Sequence, residues 1–292
     1  MFESCLICTE FSDGLERLAQ FVPSLAKGGL KKIVFLHCIP VWESTSLTGV
    51  DPQAVAEAEA KLSPALAAIP AGVEVKIEIA SDRPGDVVPS LVKTHGIEVI
   101  LVGAPFRSGL EEKLSGSTAL GISQATAIPV MIFRPQFFSI FTQEELSLRC
   151  ANLWRSLLIP YNGDGAADYL VEQLKVLVTQ APPQSKLRFS LLTVVESTGR
   201  KEILATHRQA EAREKLETIQ TELENLGVET QIAVEVGDSI EEVFRFTTHG
   251  DVNAIAIATL YQKNIFDWTV PKLNEEMLRR SWLPLLFLSP KK

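Results

Sequence analysis

Residues 94–103 read THGIEVILVG, and residues 248–258 read THGDVNAIAIA. In both stretches a histidine and a glycine close a segment of helical periodicity, and an apolar, β-branched run follows. A glycine just past the last helical residue ends a helix, and a cation in the last turn suits the helix dipole. Each tripeptide therefore reads as a helix stop that leads straight into a buried strand. His95 and His249 are expected to be caps rather than catalysts.

The agreement extends outward on both sides. CLICTEFSDGLERL (5–18) matches SLLIPYNGDGAADYL (156–170), IVFLHCIPV (33–41) matches FSLLTVVES (189–197), and IPVMIFRP (128–135) matches LPLLFLSP (283–290). The offset stays between 152 and 156 residues and the order is kept, so one unit is written twice. Strands are expected at 5–9, 32–39, 73–80, 97–103 and 129–134, and again at 156–160, 188–195, 228–236, 252–258 and 284–289. Helices are expected between them, at 13–27, 51–69, 84–95 and 116–126, then at 164–179, 205–226, 238–249 and 271–281. Apolar strands alternating with amphipathic helices give an α/β fold whose parallel sheet is covered on both faces. The expected architecture is two tandem five-stranded parallel-sheet sandwiches of Rossmann-like type, residues 1–136 and 153–292. Residues 137–152 read as a helical linker.

The 292 residues include 28 basic and 36 acidic side chains, a net charge of −8. No Lys/Arg cluster is present to neutralise a phosphate backbone, so nucleic acid is not an expected partner. No apolar run approaches the ~20 residues of a membrane helix, and MFESCLICTEF (1–11) lacks the basic start of a secretion signal. A cytoplasmic protein without a membrane partner is expected. Cys5 and Cys8 form a CxxC, but residues three apart in a strand point to opposite faces. They read, with Cys38 and Cys150, as small apolar residues rather than as a zinc or redox pair. His37 lies in a strand run and His207 in a charged helix, so no metal site is expected.

The stretch VGAPFRSGLEEKLSGST (102–118) follows the fourth strand. Taken by its residue types alone it has two readings. Gly103 and the Gly116-Ser117-Thr118 turn could bring backbone N–H groups and a helix N-terminus to a phosphate. Equally, Gly103 could be a strand exit and SGST a helix N-cap.

Together, ICTEFSD, FLHCIP and VGAPFRSGLEEKLSGST…IPVMIF resemble the universal stress protein family in its tandem, two-domain form. Nucleotide-binding members carry an Asp after the first strand and a spaced Gly…Gly…Gly-Ser pattern after the fourth. The resemblance implies an ATP or AMP site in the first repeat only. It would be lined by Cys8, Thr9 and Glu10 (in place of the Asp), by Cys38, and by Val102, Gly103, Arg107, Gly116, Ser117 and Thr118. Phe106 replaces the middle glycine and resists the φ > 0 that a glycine tolerates. In the second repeat Ala258, Tyr261 and Pro271-Lys272 replace the pattern and Asn162 replaces the acid, so that copy is expected to keep the fold and lose the ligand. Because single-domain members pair through their last strand, Val130–Phe133 and Leu285–Leu288 are expected to meet inside one chain about a pseudo-two-fold axis. The resemblance leaves a further homodimer open. Near the loop only Arg107 and Lys113 could act on phosphates, so no dedicated catalytic site is expected, and slow ATP hydrolysis at most. Two functions stay open: a stress-response regulator or energy sensor that binds an adenine nucleotide, and a nucleotide-free scaffold acting through protein partners.

Overall fold

The computed structural model describes residues 1–39, 42–44, 47–49, 51–104, 122, 126, 128–182, 185–196, 202–260 and 272–290. The first repeat supplies strands β1 (Ser4–Cys8), β2 (Lys32–Cys38), β3 (Trp42–Ser44), β4 (Leu47–Gly49), β5 (Glu74–Ala80), β6 (Val99–Gly103) and β7 (Val130–Phe133). The second supplies β8 (Ser156–Pro160), β9 (Arg188–Val195), β10 (Glu229–Val236), β11 (Ala254–Ala258) and β12 (Leu285–Leu288). Helices α1 (Val22–Lys27), α2 (Pro52–Leu62), α3 (Pro64–Ala67) and α4 (Pro84–His95) belong to the first repeat, and α5 (Pro135–Ser139) and α6 (Gln143–Ala151) join the two. Helices α7 (Gly165–Gln180), α8 (Glu202–Asn225), α9 (Ser239–His249) and α10 (Lys272–Arg280) follow.

Ten strands make one sheet in the order β10-β9-β8-β11-β12-β7-β6-β1-β2-β5, while β3 and β4 form a separate hairpin. Neighbours within each half run parallel. The two halves meet antiparallel, with Leu285 opposite Ile132, Leu286 opposite Met131 and Phe287 opposite Val130. The strand order is mirrored about this contact, so a pseudo-two-fold axis relates the halves. Side chains alternate between two cores as the strand period requires. Cys5, Ile7, Ile33 and Phe35 enter one, and Leu6, Cys8, Val34 and Leu36 the other. Cys5 and Cys8 thus do face opposite ways, and all four cysteines are free thiols.

Proline explains two departures from the expected helices. The segment 13–27 divides into a 3-10 turn, Leu15–Phe21, and α1, with Pro23 in the first turn of α1. The segment 51–69 divides into α2 and α3 at Ser63-Pro64. A proline has no N–H to bond one turn back, so each helix restarts there. The hairpin of β3 and β4 was not anticipated. Each of its strands is three residues long, too short to show a period.

The repeated THG also departs in part. Gly96 is left-handed (φ 62°) and its N–H bonds the Val92 carbonyl, as a C-cap glycine should. Gly250 is not left-handed (φ −87°). A Cβ there would lie 2.9 Å from the Phe246 carbonyl oxygen, so the second glycine is required by crowding. His95 is buried in the last turn of α4, with Nε2 3.3 Å from a Glu78 oxygen.

The joining segment folds onto the first repeat. Thr142 and Glu145 cap α6 reciprocally at 3.3 and 2.8 Å. Phe133, Phe137, Phe138 and Phe141 form an aromatic cluster with centroid separations of 5.3–5.7 Å. The guanidinium of Arg149 sits 3.9 Å over the Phe141 ring.

The central position of β7 and β12 has a measurable consequence. Both are paired on two sides, whereas β5 and β10 are edges and leave half their amides without a ladder partner. In hydrogen exchange, peptides covering 130–133 and 285–288 should therefore exchange more slowly than those covering 74–80 and 229–236. Faster exchange at the centre would refute the continuous sheet.

Candidate functional site

In a doubly wound sheet, ligands bind beyond the carboxyl ends of the strands where strand order reverses. Here β1 leads outward to β2 and β5 on one side, and β6 and β7 lie on the other, so the reversal falls between β1 and β6. Cys8 stands in register with Val102. Thr9-Glu10 therefore leaves the sheet beside Gly103. Cys38 ends β2 on the next strand over. The structure thus brings Cys8, Thr9, Glu10, Cys38, Val102 and Gly103 to one end of three adjacent strands. Arg107, Gly116, Ser117 and Thr118, with Phe106, lie outside the described residues.

Two of these positions are occupied in ways the sequence did not reveal. Thr9 is buried, and its hydroxyl donates to Asp13 Oδ1 at 3.0 Å. The same carboxyl accepts from Leu15 N at 3.0 Å and from Glu10 N at 3.1 Å. Asp13 lies against Gly103: a Cβ on that glycine would come within 2.6 Å of Asp13 Cγ and Oδ2, and nearer still to its Cβ. Gly103 is therefore the gap through which a buried acid enters the strand ends. Burial pushes the Asp13 carboxyl above its ordinary pKa, opposed in part by the Leu15 and Glu10 amides and the Thr9 hydroxyl. Burial likewise raises the Cys8 thiol, and lifts that of Cys38 to about 11. Both thiols stay protonated and inert at neutral pH.

The second feature is Phe11, the one described non-glycine residue with positive φ (62°). The matching residue of the second repeat is Gly163 (φ 76°), so the turn after the first strand demands a left-handed residue in both copies. A bulky side chain in that region is strained by about 1–2 kcal/mol. The ring stacks on His37 with centroids 3.9 Å apart, and Lys61 Nζ lies 4.6 Å from its centroid. His37 Nδ1 is 2.8 Å from the Thr9 carbonyl. A carbonyl can only accept, so Nδ1 carries the proton. Thr193 makes the equivalent bond in the second repeat, donating to the Tyr161 carbonyl at 2.7 Å.

The signals for these residues were present but ambiguous. Asp13 in FSDG reads as an Asx turn, which it is, since it accepts from the N–H two residues on. Nothing local shows that Gly103, ninety positions away in sequence, makes room for it. Phe11 gives itself away only against Gly163 in the aligned repeat.

The second crevice is furnished differently. Asn274 is buried and donates to the Ala258 carbonyl at 2.9 Å, over the end of β11. Tyr161 donates its hydroxyl to Asp168 at 2.5 Å, and Asn162 bonds Asp164, which caps α7. Among the described residues no group of His, Cys, Asp and Glu is arranged to hold a metal ion, and no helix is long and apolar enough to cross a membrane.

Comparison with known proteins fits this arrangement. The sequence model of the universal stress protein family matches residues 1–134. Residues 1–134 are a universal stress protein domain. The second repeat shares the fold. A universal stress protein from Archaeoglobus fulgidus superposes with a TM-score of 0.62 at 17% identity, over 98% of each chain. A universal stress protein described as such only provisionally, from Pseudomonas aeruginosa UCBPP-PA14, gives a TM-score of 0.58 at 15% identity, over 99% of this chain and 94% of its own. At these identities the likeness shows the fold alone, here the tandem fold along the whole chain. No curated protein sequence matches.

The Asp13–Gly103 contact can be tested by a double-mutant cycle. Gly103→Ala should destabilise by about 2–4 kcal/mol, the range of severe overpacking. Asp13→Gly in the same chain should recover at least about 1 kcal/mol of it. Additive effects in chemical denaturation would mean the two do not compete for space. A pH series gives a second test. Because the folded state holds the Asp13 proton more tightly than the unfolded chain, its contribution is complete below about pH 3.9. It then declines as pH rises through the raised value. The stability difference between wild type and Asp13→Asn should move in favour of Asn over that window and then level off. A difference independent of pH would contradict a raised pKa.

Proposed function

We propose that the first repeat binds an adenine nucleotide, ATP or AMP, at the carboxyl ends of β1 and β6, and that the protein regulates a stress response or senses energy state in the cytoplasm. Family membership supports the stress-response role. The observation that carries the nucleotide reading is the placement of Thr9-Glu10 and Gly103 side by side where strand order reverses. In this reading Glu10 accepts from a ribose hydroxyl and Cys38 lies beside the base. The Gly116-Ser117-Thr118 turn receives the phosphates on its backbone N–H groups and hydroxyls. The second repeat serves as the fixed partner of the first. Asn274 over the end of β11 and Pro271 in place of a loop glycine support its lacking a ligand.

A second reading, a nucleotide-free scaffold that works through protein partners, is favoured by Asp13. An ionised carboxylate at the start of a phosphate loop disfavours an anion placed close by.

Calorimetry on the full chain separates the two. The expected result is one ATP or AMP per chain. Gly116→Val should weaken binding by about 1–3 kcal/mol, the cost of stranding one or two phosphate hydrogen bonds. Phe106→Gly should tighten binding by freeing the loop. Two sites per chain would show that the second repeat has been misjudged. Absence of binding by wild type and both variants ends the nucleotide reading and leaves the scaffold.

A further inference from the structure

A cavity of about 410 Å³ lies between the repeats, walled by Lys27, Gly28, Trp154, Arg155, Ser185 and Lys186 among others. Its walls precede β1, β2, β8 and β9, so it stands at the amino ends of strands, away from the crevice at the carboxyl ends of β1 and β6. The seam that forms it is fixed. Trp154 Nε1 donates to the Gly28 carbonyl at 3.0 Å, and the Trp154 ring meets Phe2 edge-on at 5.4 Å. Arg155 is oriented by a hydrogen bond from Nη1 to Asn152 Oδ1 at 3.2 Å.

This wall gathers three cations of an otherwise acidic chain. Among the described residues, none of Lys27, Arg155 and Lys186 has a carboxylate within ion-pair distance, whereas Lys31, Lys175 and Arg188 each hold one or two. Among the described residues no Asp or Glu lines the cavity. A neighbouring cavity of about 600 Å³ shares Asn152 and Arg155. It is balanced by contrast, since its Arg188 is held by Asp251 at 3.0 Å. Part of the positive charge answers to the backbone. Helix α1 ends at Gly28 beside the end of α6, so that a Cβ on Gly28 would meet the carbonyls of Leu25, Cys150 and Ala151 at 3.0–3.3 Å, and Lys27 complements those negative helix ends. That account extends to Arg155, which bonds the α6 C-cap residue Asn152, but not to Lys186, which precedes β9 and terminates no helix.

We propose that this cavity binds a compact multivalent anion, a phosphorylated or polycarboxylate small molecule, held by Lys27, Arg155 and Lys186. The volume falls within the ~300–1,000 Å³ of small-molecule sites. Three cations on one wall, all exposed and one of them oriented by Asn152, attract a multivalent anion more than a monovalent one. Because one wall comes from each repeat, bound anion also ties the repeats together.

The test is calorimetric titration of the full chain with inorganic pyrophosphate and with citrate, at constant ionic strength. At least one should bind with one site per chain; pyrophosphate alone would identify a phosphoryl ligand and citrate alone a carboxylate. The double variant Arg155→Gln/Lys186→Gln should weaken that binding by at least about tenfold. Both side chains are exposed, so the fold should be retained, as an unchanged melting temperature without anion would confirm. Lys27→Gln should weaken it by a smaller factor. Gly116→Val, which disables the loop of the other crevice, should leave it unchanged. Failure of both anions to bind, binding unaffected by the double variant, or binding lost in Gly116→Val would each overturn the proposal.

Discussion

Strand β7 has β6 on one side and, without β12, only solvent on the other. Its residues Val130–Phe133 are apolar and buried, and an edge of that kind recruits any free strand it meets. Leu285–Leu288 is equally apolar and buried and has the same need. Pairing the two closes both edges at once and turns two five-stranded half-sheets into one sheet of ten. Because the linker helices hold the partners in one chain, the pairing is intramolecular and independent of protein concentration. The crevices, the linker packing and the seam at Trp154 are all positioned by it.

At the candidate site a single glycine carries two possible meanings. A glycine at the end of β6 suits a backbone that must approach a phosphate. In this chain Gly103 also admits the Asp13 carboxyl, which holds the Thr9 hydroxyl and two backbone amides. The network fixes the turn after β1 and directs the Thr9 side chain inward rather than toward a ligand. His37 and Phe11 brace the same turn from the β2 side. The left-handed Phe11 is tolerated because its ring packs against His37 and Lys61, which offsets backbone strain that the second repeat avoids by using Gly163.

The fold was legible because its information is periodic and written twice. Strand runs such as SCLIC and AIAIA, buried on both faces, show as unbroken apolar segments, and matching THG stops fixed their starts. What escaped was non-periodic. Pro23 and Pro64 split helices whose apolar spacing runs on regardless. The hairpin of β3 and β4 is too short to carry a pattern. At the site, the residues that reach the strand ends could be named from the family resemblance. Asp13 could not, because its role depends on space left by a residue on another strand.

The two THG tripeptides end on constraints of different kinds. At Gly96 the constraint is a torsion angle, with nothing within 4 Å of where a Cβ would stand. An asparagine, which visits the left-handed region more readily than most residues, is an admissible replacement there. At Gly250 the torsion is ordinary, and the constraint is volume beside a backbone carbonyl that cannot move aside without unwinding α9. Any L-residue there forces the last turn of α9 to shift. Identical letters in the two repeats therefore leave different sets of permitted substitutions, and the halves are free to diverge at position 96 while position 250 stays locked.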